Sequence, residues 1–160
     1  MSYDLMVLDK HKRYNTSNEF LEWYNNQIES LENIDTNNYR HATSNLQSWF
    51  LEMKNIVRPL NGEFAPFDEE LDCGDYHEAD YCIAKDSIYM AIAWSDVERV
   101  FSLVKDMARK HDVALYDVSG SGDVIYPDGT MINIKLEVQE DVETDYMRDF
   151  LQKMNVLEND

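Results

Sequence analysis

The sequence has few of the features that mark secreted, membrane-bound or disulfide-stabilised proteins. Among 160 residues there are two cysteines, Cys73 and Cys82, which is too few for a disulfide framework and indicates reduced thiols. No apolar run approaches the roughly 20 residues that cross a bilayer, and residues 1–13 have no signal-peptide core. We therefore expect a cytoplasmic protein.

Recognisable catalytic motifs are also missing. The Ser/Gly-rich residues 119–123 do not have the G-x-x-x-x-G-K-[ST] spacing of a phosphate-binding loop, and we interpret them as a flexible connecting loop. No G-x-S-x-G nucleophile elbow is present. Cys73, His77 and Cys82 lie close together in the chain, but their spacing lacks the paired short knuckles of a structural zinc site. The sequence thus predicts no enzyme activity, no metal and no cofactor.

Acidic side chains dominate the composition. There are 32 aspartates and glutamates against 14 lysines and arginines, which gives a formal net charge of −18. Self-repulsion of this size destabilises a compact fold, so the charge either serves solubility or salt adaptation, or it attracts a basic partner. Nucleic acid and anionic membranes would be repelled. We expect a basic protein as the partner, with neither nucleic acid nor a membrane as a direct ligand.

Length and hydrophobic patterning predict one domain over residues 1–160. Apolar residues make up 44% of the chain and aromatic residues 12%, which is enough to build a core. Residues 3–9 are β-prone and predict a first, central strand. Residues 87–94 are apolar on both faces, which is typical of a strand in the middle of a sheet. The other predicted strands are residues 81–84 and 113–118 and a hairpin of residues 124–126 and 131–138.

Helix signals occur at four places. Thr16 with Glu19 and Ser95 with Glu98 match the capping box, a second helix begins near Ser44 and is stopped by Pro59, and a last helix begins near Thr144. The tryptophans are predicted at core positions of these elements, namely Trp23, Trp49 and Trp94. The order of elements predicts an α+β fold, with a mixed or mainly antiparallel sheet of about five to six strands, three to four helices and a ferredoxin-like (split βαβ) centre with added elements.

A long acidic stretch follows the second predicted helix. From residue 63 to residue 80 the periodicity disappears and carboxylates accumulate, which predicts a surface loop of functional length. An exposed tyrosine beside acids is typical of surfaces that meet arginine and lysine, so Tyr76 is the best single candidate. The predicted partner-binding residues are Asp68, Glu69, Glu70, Asp72, Asp75, Tyr76, Glu78 and Asp80.

Five segments resemble a family of small acidic bacterial proteins: MSYDLMVL, FLEWYNNQ, RPLNGEFAP, KDSIYMAIAWSDVE and LYDVSG. The resemblance extends from Met1 to about Gly120 and implies a bacterial protein, but it brings no catalytic residues. In size, acidity and α+β make-up the chain is also similar to immunity proteins that neutralise polymorphic or contact-dependent toxins. This likeness implies a non-enzymatic inhibitor that binds a basic toxin domain, for example a nuclease, through an acidic surface.

Two alternatives remain open at this point. In the first, His77 and the carboxylates near it in the sequence bind a hard divalent ion, and the protein is a metal-binding enzyme or regulator. The sequence around His77 does not match the calcium-binding loop pattern. The chain could also be an acidic housekeeping domain with no specific partner. In that case the carboxylates should be spread evenly over the surface.

Overall fold

The computed structural model describes residues 2–9, 16–65 and 77–134. Seven strands and three α-helices lie in these ranges. The strands are β1 (Ser2–Asp9), β2 (Val57–Pro59), β3 (His77–Ile83), β4 (Ser87–Ala93), β5 (Val113–Tyr116), β6 (Asp123–Ile125) and β7 (Met131–Asn133). The helices are α1 (Ser17–Ser30), α2 (Ser44–Met53) and α3 (Val97–Lys110). No helix in the described ranges is long and apolar enough to cross a membrane.

All seven strands form one mixed sheet in the order β2-β3-β4-β1-β5-β6-β7. Strand β1 is central, with antiparallel neighbours on both sides: Val7 pairs with Ile88 of β4 and with Leu115 of β5. Among the described strands, only the β2–β3 pair is parallel. The α+β class, the mixed sheet, the central place of β1 and the interior place of β4 are therefore confirmed.

The sheet lies between two layers of helices. Leu5 and Val7 of β1 belong to the core cluster that contains α2 and α3, whereas Met6 and Leu8 belong to the cluster that contains α1. Alternate residues of a strand point to opposite faces, so β1 is buried on both faces. This double burial explains why its sequence is a continuous apolar run.

Helix α1 begins where the capping signature places it. The Thr16 side chain accepts a hydrogen bond from the backbone N–H of Glu19 at 3.2 Å, which satisfies one of the free donors at the helix start. Its buried face includes Phe20 and Trp23. The aromatic ring of Phe20 contacts that of Tyr116 edge-to-face, with ring centroids 4.8 Å apart, so aromatic packing fixes α1 over β5.

Strand β2, which was not predicted, occupies the end of the predicted second helix. Helix α2 ends at Met53 instead of continuing to Pro59, and residues 57–59 pair with β3. The β2 strand is held by the hydroxyl of Tyr81, which donates a hydrogen bond to the carbonyl of Val57 at 2.7 Å. Because β2 lies at the sheet edge, Pro59 is tolerated in a strand. This short strand is why the sheet has seven strands where five to six were predicted.

The predicted capping box at Ser95 and Glu98 does not form. Strand β4 ends at Ala93, a 3₁₀ turn follows, and α3 starts at Val97 with no side-chain cap. Because the strand ends early, Trp94 is 52% exposed and does not lie in the core. The prediction of a core position was therefore wrong for Trp94, whereas Trp49 is fully buried.

The last predicted elements are described only in part. The predicted hairpin is present, with Val124 paired to Ile132, and its second strand ends at Asn133. The described ranges do not include residues 135–138 of that predicted strand, the predicted helix from Thr144 or the basic residues 10–13.

Candidate interaction surface

Six of the eight predicted partner-binding residues lie outside the described ranges: Asp68, Glu69, Glu70, Asp72, Asp75 and Tyr76. Glu78 and Asp80 are described, and both lie in β3. The predicted loop up to residue 80 was therefore too long by four residues. The reason is that Ala79 and Tyr81 alternate into the core and pair with β4.

Glu78 and Asp80 are half-buried and point away from α2 and α3. Since Ala79 and Tyr81 belong to the α2–α3 cluster, the alternation of the strand directs Glu78 and Asp80 to the α1 side of the sheet. Asp80 lies opposite the small residue Ala91. Its carboxylate accepts a hydrogen bond from the Asn61 amide at 3.3 Å. These two carboxylates thus share the sheet face with α1.

Helix α1 has an acidic outer surface. Glu19, Glu22 and Glu29 are exposed on the helix, and Glu32 and Asp35 are exposed just after it. No lysine or arginine occurs from residue 14 to residue 39. Hydrophobic and charge patterns did not predict this surface, although the absence of basic residues from such a long stretch was a usable signal. We call the exposed carboxylates of residues 19–32, with Glu78 and Asp80, the acidic face.

Helix α3, in the opposite layer, contains four of the eight lysines and arginines in the described ranges, in the sequence VERVFSLVKDMARK. Another of the eight, Arg58, lies opposite Glu78 in the β2–β3 pair and therefore on the α1 side. The Lys110 ammonium contacts Glu52 Oε1 at 2.6 Å, and His111 Nε2 contacts Glu52 Oε2 at 2.6 Å. The pKa of Glu52 is lowered, and the hydrogen bond from Lys110 is the largest cause, followed by the hydrogen bond from His111. The exposed acids of α1 and the four cations of α3 therefore lie on opposite sides of the sheet.

Asp4 is an acid on the α1 side that the fold itself satisfies. Its Oδ2 accepts a hydrogen bond from the Tyr89 hydroxyl at 2.5 Å, and its Oδ1 accepts one from the Ser2 hydroxyl at 2.7 Å. Burial, followed by the hydrogen bond to Asp4, raises the pKa of Tyr89. We therefore assign Asp4 to the structure of the sheet and not to the acidic face.

Asp117 organises the Ser/Gly-rich loop after β5. Its buried carboxylate accepts hydrogen bonds from the Tyr3 hydroxyl at 2.5 Å, from the Gly120 N–H at 3.2 Å, and from the Ser121 N–H at 3.0 Å and hydroxyl at 3.1 Å. The segment is therefore a hydrogen-bonded turn and not the flexible loop that the sequence predicted. Both carboxylate oxygens are used by the chain itself, so Asp117 has a structural role.

His77 pairs with one carboxylate. Its Nδ1 lies 3.0 Å from Asp96 Oδ1, and both side chains are about one-quarter exposed, at 24% and 27%. Within residues 2–9, 16–65 and 77–134, no three His, Cys, Asp or Glu side chains are arranged to hold a metal ion. Cys82 is half-buried, and burial, followed by the charge of Asp80, raises its thiol pKa.

Comparison with known proteins gives no relative. No family model matches the chain, and neither does any curated protein or any solved structure. The molecule is therefore characterised by what its own residues form: an α+β domain with a seven-stranded mixed sheet, whose α1 side is strongly acidic.

Proposed function

We propose that this protein is a non-enzymatic inhibitor of the immunity type, which binds and neutralises a basic toxin domain through its acidic face. The supporting observation is the separation of charge across the sheet. Glu22 and Glu29 are exposed on a helix that has no basic residue, whereas the four cations of α3 lie in the opposite layer. Exposed carboxylates concentrated on one helix produce a potential that attracts a basic surface and accelerates its association.

A nuclease is the type of toxin that such a face fits best. The groove of a nuclease is basic because it holds phosphates, so an acidic protein finds a complementary surface there and blocks the substrate by covering it. Asp75 and Tyr76 directly precede β3 in the chain. The predicted residues from Asp68 to Tyr76 therefore belong to the same proposal as Glu78 and Asp80.

The distribution of charge favours this function over that of an acidic housekeeping domain. Carboxylates that serve only solubility need no preferred side of the molecule. In this protein, however, every charged residue of helix α1 is acidic. A metal-binding function for His77 has less support, since the described partner of its ring is a single carboxylate, Asp96.

We also infer a ferredoxin-like centre for the fold. Four strands lie in the order β3-β4-β1-β5, and each neighbouring pair is antiparallel. Strands β1 and β3 are then parallel with β4 between them, which is the arrangement of a split βαβ unit. Because this plan supports many unrelated functions, the proposal depends on the surface and not on the fold.

The test is binding to the C-terminal domain of the protein encoded immediately upstream, measured by calorimetry from about 50 to about 500 mM salt. One variant reverses charge on α1, Glu22→Lys with Glu29→Lys. A control makes the same change of charge on α3, Glu98→Lys with Asp106→Lys. We expect the wild-type affinity to fall as salt rises, the α1 variant to bind at least about tenfold more weakly, and the control to bind within about twofold of wild type.

A third variant separates the two parts of the proposed surface by reversing Glu69, Glu70 and Asp72. A loss in this variant with none in the α1 variant would restrict the interface to the predicted loop and would remove α1 from it. The proposal fails if no complex forms, if affinity is insensitive to salt, or if the α3 control weakens binding as much as the α1 variant does.

A further inference from the structure

A cleft lies between α3 and the β6–β7 hairpin, on the side of the sheet opposite α1. Its volume is about 410 Å³. The buried side chains of Val113 and Leu115 line its base, and Ile125 and Met131 line the hairpin wall. Met131 is 61% exposed, which is unusual for a large apolar side chain next to a core. The cleft therefore offers apolar surface that α3 does not cover.

Two cations stand on the helix side of this cleft. Lys105 and Arg109 line it, and their spacing of four residues places them on the same side of α3. Both are exposed, and neither has an ion pair or hydrogen bond within the part of the chain that the structure describes. In a chain with 32 acidic and 14 basic residues, two unpaired cations beside an apolar cleft are a specific arrangement.

The helix dipole explains only one of the two cations. Arg109 lies in the last turn of α3, where a positive charge interacts favourably with the helix C-terminus. Lys105 lies before that turn, and the dipole effect does not extend so far. The helix dipole therefore does not account for Lys105.

We propose that the cleft binds an apolar carboxylate, that is, a small molecule with a hydrocarbon body and one carboxylate group. The hydrocarbon would lie on Leu115, Ile125 and Met131, and the carboxylate would accept charge-assisted hydrogen bonds from Lys105 and Arg109. The volume lies within the range of small-molecule sites, about 300–1,000 Å³. This inference does not depend on the proposed inhibitor function, because it concerns the opposite side of the sheet.

Two carboxylates on the rim limit the charge of the ligand. Asp106 and Asp128 also line the cleft. The Asp128 carboxylate accepts hydrogen bonds from the N–H and the hydroxyl of Thr130, at 3.0 and 2.7 Å, so it is engaged in its turn. Their negative charges oppose a multiply charged ligand such as a polyphosphate and favour a ligand with a single negative charge.

The experiment is a titration of the 160-residue protein with octanoate, followed by calorimetry and by amide chemical shifts. The matched probe is 1-octanol, which has the same chain length and no carboxylate. We expect shifts at Ile125 and Met131, and an affinity for octanoate at least about tenfold higher than that for 1-octanol. Equal affinity for the two probes, or shifts confined to other regions, would overturn the proposal.

Variants test the assignment of the cations. Lys105→Gln with Arg109→Gln should weaken octanoate binding at least about tenfold and leave 1-octanol binding unchanged. The control, Lys85→Gln with Arg99→Gln, removes the same charge from two exposed positions outside the cleft and should leave octanoate binding within about twofold of wild type. An equal loss in the control would show that the effect comes from net charge and would overturn the site.

A third variant tests the hairpin wall. Met131→Glu places a carboxylate at an exposed position, where it should not impair folding. Octanoate binding should weaken because of repulsion between the two carboxylates. Unchanged binding in this variant would contradict the placement of the ligand against the hairpin.

Discussion

The hydroxyl of Tyr3 donates a hydrogen bond to the buried carboxylate of Asp117, across 2.5 Å and 114 residues of chain. This bond joins the central strand β1 to the loop after β5. The same loop is bound to β1 a second time, because the Asp4 N–H donates to the Ser119 hydroxyl at 2.8 Å. The two bonds make the loop a fixed part of the sheet end.

The first prediction concerns the lack of space at Gly120 beside the hydrogen bond between Tyr3 and Asp117. A Cβ at position 120 would lie 2.6 Å from Asp117 Oδ1 and closer still to the Tyr3 hydroxyl. Gly120→Ala should therefore break the Tyr3–Asp117 bond and lower the free energy of unfolding by about 3 kcal/mol, measured by urea denaturation. The comparison is Gly129→Ala, where a Cβ meets no atom within 4 Å but φ is +92°, so that only backbone strain of about 1–2 kcal/mol is expected.

A double-mutant cycle identifies the cause of the Gly120 effect. In a Tyr3→Phe background the hydroxyl is already absent, so Gly120→Ala should cost less than it does in the wild type. Independent, additive effects of the two substitutions would contradict the proposed steric conflict.

The second prediction concerns stability at alkaline pH. Burial is the largest cause of a raised pKa at five tyrosines: Tyr3, Tyr24, Tyr81, Tyr89 and Tyr116. The pKa of Tyr116 is raised to about 12. Tyrosines of the unfolded chain ionise near pH 10, so the native state retains protons that the unfolded state loses. Stability should be unaffected by these groups below about pH 10 and should fall above it.

The slope of this fall is measurable by urea denaturation at a series of pH values. Each tyrosine that stays protonated only in the native state contributes up to about 1.4 kcal/mol per pH unit. Tyr3→Phe should reduce the slope by one such contribution. Normal titration of all tyrosines near pH 10 in a protein that remains folded would contradict the prediction.

The third prediction concerns the acid side and the contact between α2 and α3. Glu52 accepts hydrogen bonds from Lys110 and His111, which lower its pKa. A lowered native pKa stabilises the fold above the unfolded pKa of about 4.3, and this contribution is lost as pH falls through the native pKa. Glu52→Gln should thus lower the thermal midpoint at pH 7 and have little effect near pH 3.

The control for this prediction is Glu98→Gln, which neutralises an exposed carboxylate on α3 without a described ion pair or hydrogen bond. Its effect on the thermal midpoint should be small at both pH values. A Glu52→Gln difference that does not shrink on acidification would show that the hydrogen bonds to Lys110 and His111 are not its source.

The fourth prediction compares two threonines that precede helices. Thr16 caps α1 with its side chain, whereas Thr43 makes no side-chain cap at α2 and its buried hydroxyl has no described partner. Thr16→Ala should lower the free energy of unfolding by about 1 kcal/mol. Thr43→Val should leave it unchanged or raise it by up to about 1 kcal/mol, because it removes an unsatisfied buried hydroxyl. Equal losses at both sites would contradict the assignment of the caps.

The parts of the fold that the sequence predicted well depend on neighbouring residues. The cap formed by Thr16 and Glu19 spans four residues and needs no other part of the chain. The capping pattern at Ser95 did not predict the start of α3, because that start depends on a contact with a distant residue. Asp96, next to Ser95, contacts His77 of β3, which lies 19 residues earlier in the chain. Strand β2 was missed because three residues are too few to show a period of two.

The candidate site was predicted only in part. Glu78 and Asp80 were predicted to lie in a partner-binding loop, whereas they lie in strand β3, and their binding role stays a prediction. The composition of α1 was visible in the sequence, whereas its position across the sheet from the cations of α3 was not. The cleft beside Lys105 was not predicted at all, because its two walls come from separate segments of the chain.

By itself the sequence determined the α+β class, the capped start of α1, the central place of β1 and the large excess of negative charge, since composition and local periodicity are sufficient for each of these. Only the tertiary structure decided that the acids of α1 and the cations of α3 lie on opposite sides of the sheet, that Asp117 is satisfied by Tyr3, and that an apolar cleft opens beside Lys105 and Arg109. The physical reason is that these relationships join residues far apart in the chain, and the pairing and register of the strands bring them together.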